Sequence, residues 1–288
     1  MKKKIIFGQP SIGNEEINYI KKVIKSKWIG SGKITEKFES NFRKYKSSKF
    51  ALSVNSCTAA LHLSLLYCGV KRGHEVITTP MTFASTINSI AMIGAKPILA
   101  DINPETFNID PKNIERCITK KTKAILIVHL AGLPCEIEKI MQIAKKYKLK
   151  VIEDCAHAIE SKFNNKHVGN FGDAGCFSFY STKNLTTGEG GMIICNNKNF
   201  YKKVRVARLH GLSKDAWKRY LPENVNRKYY EHYDVTEIGF KYNMIDINSA
   251  MGIIQLKKLE SNWKIRKNLF KIYKKKLSNT PVNFQKIN

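Results

Sequence analysis

The alternation of short apolar runs with helix-like segments limits this chain to a small set of folds. Residues 124–128 are nearly all apolar, which is typical of a strand covered on both faces. Similar runs recur along the chain, and helical spacing of apolar residues follows most of them. This alternation predicts an α/β fold with a mainly parallel central sheet flanked by helices. The predicted strands are residues 50–54, 75–79, 96–100, 124–128, 150–154, 176–180 and 192–195.

The segments before, between and after these strands predict helices. One helix is expected to begin within residues 82–85, and residues 211–237, which are polar and aromatic, predict a long excursion from the fold. The other predicted helices are residues 14–27, 36–45, 59–67, 111–118, 136–147, 200–210 and 246–276.

One stretch offers a candidate reactive amine. The aromatic run 176–180 ends close to Lys183, and Gly188, Gly190 and Gly191 follow it. Burial would lower the pKa of the ammonium group and favour the free amine, which is the nucleophilic form. The glycines would let the backbone turn tightly and approach a ligand. A solvated surface lysine is the alternative, because lysine is the commonest charged residue in the chain.

Small residues separate the first predicted strand from the next predicted helix. Ser56, Cys57 and Thr58 occupy this position. Free backbone N–H groups and the helix dipole at such a helix start form a phosphate site. Simple capping of the helix by Ser56 or Thr58 would explain the same residues without a ligand, and the sequence leaves both possibilities open.

Three further residues lie at or just beyond predicted strand ends. Phe83 follows the second predicted strand, Asp154 ends the fifth, and His157 comes three residues later. Ligands bind at the carboxyl ends of strands in open α/β sheets, so these residues are expected to converge with Lys183. An amine, a carboxylate, an aromatic ring and a phosphate cradle together suit pyridoxal 5'-phosphate. Core packing of Phe83, helix capping by Asp154 and a satisfied polar His157 remain open alternatives.

A protonated pyridine nitrogen beside Asp154 would let the cofactor ring accept electrons. A carboxylate buried beside such a cation is expected to have its pKa lowered by about 1–3 units, so that it stays charged.

The strongly basic composition raises the question of a nucleic-acid partner. The formal net charge is +27, but only eight of the 50 basic residues are arginine, and the lysines recur at helix-surface spacings. Nucleic-acid readers usually concentrate arginine with exposed aromatic residues on one face. We therefore expect a lysine-biased composition and no nucleic-acid partner.

The seven cysteines point to a reducing compartment. Their number is odd, and no CxxC pair is present, so neither a disulfide framework nor a metal site is expected. The start of the chain lacks a signal-peptide pattern, and no apolar run approaches transmembrane length. These features predict a cytoplasmic location and no membrane partner.

Six short motifs occur together in an order typical of one family. Through them, the chain resembles the DegT/DnrJ/EryC1/StrS family of sugar-nucleotide aminotransferases from residue 6 to about residue 275. The resemblance implies the fold-type I, aspartate aminotransferase-like architecture. The motifs are residues 55–62 (NSCTAALH), 80–85 (PMTFAS), 153–158 (EDCAHA), 177–184 (FSFYSTKN), 188–191 (GEGG) and 239–246 (GFKYNMID).

The resemblance implies roles around the ring of pyridoxal 5'-phosphate. Lys183 matches the Schiff-base lysine and proton shuttle of the family, which makes it the expected catalytic residue. Asp154 matches the partner of the pyridine nitrogen, His157 the contact to the ring hydroxyl, and Phe83 the residue that stacks on the ring. Lysine at position 183 distinguishes the chain from the family's dehydratases, which carry histidine there.

The resemblance also implies a phosphate site shared between two subunits. Ser56, Cys57 and Thr58 form the helix start, with backbone amides of Cys57 and Thr58 cradling the phosphate, and Ser178 adds its hydroxyl. Asn243 reaches the phosphate from the partner subunit of a homodimer. Cys57 departs from the family, which usually has a smaller residue there, often glycine.

The implied reaction is amino transfer, with glutamate as the expected donor, to a nucleotide-linked keto sugar. Residues 210–217 and 239–243 resemble the family's 4-amino-sugar enzymes more than the 3-amino ones, which implies a 4-keto-6-deoxy substrate in preference to a 3-keto one. The expected pathway is surface polysaccharide or amino-sugar biosynthesis. Residues 1–240 are expected to form a large cofactor-binding domain, with residues 1–30 as an N-terminal arm. Residues 241–288 would form an interface segment and the start of an incomplete small domain. A truncated, catalytically silent paralogue that binds cofactor or a full-length partner is the alternative.

Overall fold

The computed structural model describes residue 6, residues 8–213 and residues 233–287. Most of the predicted excursion at 211–237, namely residues 214–232, lies outside the described residues, as do residues 1–5 of the predicted arm. The described helices are α1 (Asn14–Lys25), α2 (Lys33–Lys46), α3 (Cys57–Tyr67), α4 (Ala84–Ala91), α5 (Pro111–Arg116), α6 (Ile137–Tyr147), α7 (Lys198–Ala207) and α8 (Asp246–Lys276), with a short 3-10 turn at Leu130–Gly132.

A seven-stranded sheet forms the centre of the molecule, with strand order β1-β9-β8-β5-β4-β2-β3. Strand β9 runs antiparallel to both of its neighbours, and the other adjacent pairs are parallel. The predicted α/β fold with a mainly parallel sheet is therefore confirmed. The strands are β1 (Phe50–Val54), β2 (Glu75–Thr78), β3 (Lys96–Leu99), β4 (Thr122–Val128), β5 (Lys150–Asp154), β8 (Ala174–Ser178) and β9 (Gly191–Cys195), with a separate small hairpin of β6 (Lys162–Phe163) and β7 (Lys166–His167).

Alternate residues of the strands point into cores on opposite faces of this sheet. On one face, Cys176 and Ile193 pack with α3 and α7. On the other, Phe177 packs with Phe42 of α2 and with residues of α8. Strands β4 and β5 extend that second face, where Ile127 packs with α5 and α6. Because both faces are covered, the strands read as nearly continuous apolar runs.

Helix α3 enters the interior because its sequence is apolar on nearly every side. Only helices buried all round are expected to lack a polar face, and residues 57–65 except Thr58 are buried. The Ser56 side chain caps the helix by accepting a hydrogen bond from the Ala59 amide at 3.1 Å. The start of α3 is therefore fixed directly after the end of β1.

Helix α8, near the end of the described chain, contacts α2, near its beginning. Its first residue, Asp246, is buried, and its carboxylate accepts hydrogen bonds from the amides of Ile34 and Thr35 at 3.3 and 2.9 Å. Gly32, the residue that precedes α2, has no side chain with which to cap that helix. Asp246 thus supplies the cap of α2 from a distant part of the sequence.

Within the described residues, no helix combines the length and apolarity required to cross a bilayer.

Helix α8 contributes Ile253 and Leu259 to the same core as α2, whereas its last two turns are exposed. The division into domains at residue 240 stays a prediction.

Candidate active site

The fold brings the ends of several strands to one edge of the sheet. Strands β5 and β8 are adjacent and parallel, with Asp154 in register with Cys176. Phe83 and Ser56 follow strands β2 and β1, which run in the same direction as β5. The carboxyl ends of these four strands therefore share an edge, as expected for a binding site in an open α/β sheet.

Asp154 is the buried carboxylate of this edge, with 3% of its surface exposed. One carboxylate oxygen accepts a hydrogen bond from the Ala156 amide at 3.1 Å, and the other accepts one from the Thr86 hydroxyl at 2.9 Å. Burial nevertheless raises the pKa of Asp154, because desolvation outweighs these hydrogen bonds and the charges of His157 and Lys183. The expected lowering requires the protonated pyridine nitrogen beside this carboxylate, so it stays a prediction for the protein with cofactor bound.

Lys183 lies in the loop that follows β8. Its backbone amide donates to the Tyr180 carbonyl at 2.9 Å, and Leu185 and Thr186, two and three residues later, are buried. Burial lowers the pKa of the half-buried amine, while the charges of Cys57 and Asp154 oppose that shift. The pKa of Lys183 is therefore lowered, as expected from the sequence. The Asp154 carboxylate is close enough to interact electrostatically with the amine.

The first turn of α3 supplies the candidate phosphate cradle. The first intrahelical bond runs from the Ala60 amide to the Ser56 carbonyl at 3.1 Å, so the amides of Cys57 and Thr58 precede it. Burial raises the pKa of the Cys57 thiol, which is consistent with its inward orientation at this turn. Ser56 is the helix cap, so the capping interpretation is confirmed, whereas the phosphate site stays a prediction.

The glycine cluster allows the predicted tight turn and also a close packing contact that was not predicted. A Cβ on Gly191 would lie 2.5 Å from the Ser56 carbonyl oxygen and 2.8 Å from the Cys57 nitrogen. The close approach at Gly191 is therefore between β9 and the start of α3, and an approach of the glycines to a ligand stays a prediction. Gly188 has a φ of +78°, which explains the tight turn before β9.

The remaining ring contacts are accessible from solvent. Phe83 caps the start of α4 and has 78% of its surface exposed, so core packing does not account for it. His157 is also exposed, and its pKa is lowered by desolvation and by Lys183, against the opposing charge of Asp154. Ser178 ends β8, and its hydroxyl accepts a long bond from the Tyr180 amide at 3.4 Å.

Asn243 lies beyond the end of β1 in its own chain, where it forms an isolated bridge with Val54. Its side-chain amide donates to the Ser31 hydroxyl at 2.8 Å, and its oxygen accepts from the Lys241 ammonium at 2.8 Å. Its contact with the phosphate of a partner subunit stays a prediction.

Two functional candidates were missed by the sequence reasoning. Thr86 donates to Asp154, and the Thr82 and Thr86 hydroxyl oxygens lie 2.7 Å apart. The spacing of Thr82 and Thr86 could be seen in the sequence, but the contact of Thr86 with Asp154 could not.

Glu153, the residue before Asp154 in β5, is the second missed residue. It is fully buried and accepts hydrogen bonds from the His129 ring at 3.0 Å and from three backbone amides at 2.7 Å each. Burial alone would raise the pKa of Glu153, but these hydrogen bonds hold it below its usual value.

His129, Glu153 and Cys155 are close enough together to suggest a metal site. However, His129 uses one ring nitrogen to donate to Glu153 and the other to accept from the Cys135 amide. This cluster is explained as a structural network.

The residues of this edge fit pyridoxal 5'-phosphate. A desolvated carboxylate with a raised pKa is stabilised by a cation such as a protonated pyridine nitrogen. A partly buried amine with a lowered pKa can attack an aldehyde. The helix start offers amides to a phosphate, and Phe83 offers an uncovered aromatic face.

Comparison with known proteins agrees with this chemistry. An uncharacterized protein from Methanocaldococcus jannaschii is 51% identical over 271 residues, covering 94% of this chain and 69% of the relative. The spore coat polysaccharide biosynthesis protein SpsC of Bacillus subtilis is 43% identical over 263 residues, covering 91% of this chain and 66% of the relative. The chain thus spans about two thirds of the length of these relatives.

A solved structure shows the same fold with a related cofactor form. A candidate sugar aminotransferase from Streptococcus pneumoniae, in its PMP form, matches with a TM-score of 0.88 and 30% identity over 96% of this chain and 73% of that protein. The sequence profile of the DegT/DnrJ/EryC1/StrS aminotransferase family matches residues 10–287. The chain therefore belongs to this family of pyridoxal-phosphate-dependent transaminases.

Proposed function

We propose that the protein transfers an amino group from L-glutamate to a nucleotide-linked keto sugar, with a 4-keto-6-deoxy sugar as the best-matched acceptor. The observation that carries the proposal is the pairing of Lys183, whose pKa is lowered by burial, with the buried Asp154 at one sheet edge. The polysaccharide role in the name of the Bacillus relative supports a place in polysaccharide or amino-sugar biosynthesis. Glutamate and the 4-keto position follow from the family resemblance.

Each residue of the site has a proposed task. When bound, pyridoxal 5'-phosphate supplies an aldehyde for amine exchange and a ring that accepts electrons. Lys183 holds the aldehyde carbon in place and, once displaced, accepts and returns the proton that moves during amino transfer. Asp154 keeps the ring nitrogen protonated, and Phe83 covers one ring face. His157 orients the ring hydroxyl.

The phosphate end of the cofactor is bound by a second group of residues. The amides of Cys57 and Thr58, positioned by the Ser56 cap, would donate hydrogen bonds to the phosphate at the positive end of α3. Ser178 adds a hydroxyl from the end of β8, and Asn243 adds an amide from the partner subunit.

Cofactor attachment is tested by borohydride reduction of the protein loaded with pyridoxal 5'-phosphate, followed by peptide mass spectrometry. The label is expected on Lys183, and Lys183→Ala should remove it while a Lys198→Ala control, at an exposed site on α7, keeps it. A label on another lysine in the wild-type protein would contradict the assignment.

Catalysis is tested separately by absorbance. Addition of L-glutamate should convert the bound pyridoxal form to the pyridoxamine form, and a panel of 4-keto and 3-keto sugar nucleotides should then restore the first spectrum. Lys183→Ala should lower this conversion rate by at least about a hundredfold, because it removes a general base. An unchanged spectrum with glutamate would favour the catalytically silent alternative.

A further inference from the structure

The carboxylate of Asp154 is held by a chain of hydroxyl groups that belongs to α4. The Thr86 hydroxyl lies 2.9 Å from one Asp154 oxygen, and the Thr82 hydroxyl lies 2.7 Å from the Thr86 hydroxyl. Thr86 is fully buried, and Asp154 is nearly so. Water therefore has little access to the bond between Thr86 and Asp154.

The direction of the two hydrogen bonds follows from the chemistry of the groups. A carboxylate only accepts, so Thr86 must donate its single hydroxyl hydrogen to Asp154. The Thr82 hydroxyl must then be the donor to Thr86. Each of the two hydroxyls therefore has one role, and Asp154 has a buried donor at one of its oxygens.

Helix α4 carries Phe83 and Thr86 within one turn. Phe83 begins the helix with its ring exposed, and Thr86 points to the buried carboxylate. The element that presents the stacking ring therefore also sets the orientation of the acid for the ring nitrogen. A shift of α4 would displace both together.

We infer that Thr86 is a positioning residue, which aims Asp154 at the pyridine nitrogen and favours its charged form, and that Thr82 orients Thr86. This inference rests on the proposed function, since it assigns Asp154 to that nitrogen. Loss of the Thr86 hydroxyl removes a hydrogen bond that lowers the pKa of Asp154, while burial, which raises that pKa, remains. The carboxylate then pairs less well with a protonated ring.

The test compares cofactor binding by two ligands that differ at one atom. Pyridoxal 5'-phosphate has the ring nitrogen, and its 1-deaza analogue has carbon there. Thr86→Val should weaken binding of pyridoxal 5'-phosphate by roughly tenfold to a hundredfold, the usual range for a hydrogen bond to a charged group. Binding of the deaza analogue should change by less than about threefold, because it has no nitrogen for Asp154 to contact.

Matched variants separate positioning from packing. Thr86→Ser keeps the hydroxyl and should bind both ligands like the wild type. Thr78→Val removes another fully buried hydroxyl, which donates to the Leu126 carbonyl at 2.8 Å and does not contact Asp154. It should leave the ratio of the two affinities unchanged. Thr82→Val should alter the ratio less than Thr86→Val does.

The outcomes are distinguishable from failure of the proposed function. If the wild-type protein binds neither ligand, the proposed function fails. If the wild type binds both and Thr86→Val weakens both equally, or weakens neither, the positioning role is wrong. If Thr86→Val does not fold, the ratio of the two affinities in Thr86→Ser and Thr82→Val still decides. Weaker binding of pyridoxal 5'-phosphate alone by Thr82→Val supports the positioning role. An equal effect of Thr82→Val on both ligands contradicts it.

Discussion

At the scale of single residues, the site depends on how burial acts on opposite charges. Desolvation lowers the pKa of Lys183 and raises the pKa of Asp154, and each charge partly counteracts the shift of the other. Burial therefore disfavours the charged form of both groups, while the charge of each group favours the charged form of the other.

This coupling predicts how the Lys183 amine titrates. Competitive acetylation of the protein without added cofactor, read residue by residue by mass spectrometry, should show Lys183 becoming reactive at a lower pH than an ordinary lysine. Asp154→Asn should move that midpoint lower still, because it removes a negative charge that favours the ammonium form. Lys198 serves as the reference in the same digest. A midpoint for Lys183 that is normal, or that rises in Asp154→Asn, would contradict the coupling.

A second buried lysine lies outside the candidate site. Lys46 ends α2 and is fully buried; its ammonium donates to the Ile159 carbonyl at 2.9 Å and lies 4.6 Å from the centre of the Phe177 ring. Burial lowers the pKa of Lys46 from 10.5 to about 8. The charged form is therefore less favourable in the folded state than in the unfolded chain.

The shift gives a stability prediction with a definite sign. Between pH 8 and pH 10.5 the unfolded chain binds the Lys46 proton more often than the folded one, so this residue's contribution to stability rises with pH. The free energy of unfolding of the wild type, minus that of Lys46→Met, should increase by up to about 3 kcal/mol over this range. Denaturant titrations at several pH values measure it.

The matched control is Lys44→Met, at an exposed position on the same helix. Its difference from the wild type should stay nearly constant across the same pH range. A Lys46→Met difference that is flat, or that decreases with pH, would show that the buried ammonium is not destabilised as described.

At the scale of elements, the cap of α2 by Asp246 links two distant helices. Asp246→Ala would leave the amides of Ile34 and Thr35 and the Thr35 hydroxyl without their buried acceptor. We expect the free energy of unfolding to fall by about 2–4 kcal/mol. Asp101→Ala, at an exposed residue, should change it by about 0.5 kcal/mol or less. Equal losses in the two variants would refute the capping role.

The elements with strong periodicity were predictable from the sequence. Helix α8 and strand β5 were predicted with the observed bounds, because their apolar patterns are long or uninterrupted. Strand β8 was predicted two residues too late. Its observed start, Ala174–Gly175, is small and weakly apolar, but both residues pair with neighbouring strands.

The small β6–β7 hairpin was missed because its strands are two residues long. The turn between them, Asn164-Asn165, has positive φ at both positions and is the one local sign of it. Among the site residues, those at strand ends could be placed from topology alone. Thr86 and Glu153 could not, since their importance comes from hydrogen bonds across the tertiary structure.

At the scale of the whole molecule, the proposed homodimer gives a complementation prediction. Lys183 and Asn243 are proposed to act in one site from different subunits, so Lys183→Ala and Asn243→Ala proteins should each be inactive or weak. A mixed dimer of the two variants contains one intact site. After unfolding and refolding together in equal amounts, the mixture should recover about a quarter of the wild-type activity.

The control is each variant refolded alone at the same total concentration. Recovery in the mixture only would support the shared site. If the mixture is no more active than the average of the two variants, Asn243 does not act across subunits, and light scattering of the wild type then decides whether a dimer forms at all.

The pairing of β1 with β9 has a consequence for synthesis on the ribosome. β1 emerges early, but the strand with which it forms its register, Gly191–Cys195, is translated only after every other strand of the sheet. The same pairing brings Gly191 against the turn that presents the Cys57 and Thr58 amides. A nascent polypeptide therefore cannot complete this packing before β9 has left the exit tunnel, and we expect the proposed phosphate site to form only at the end of folding.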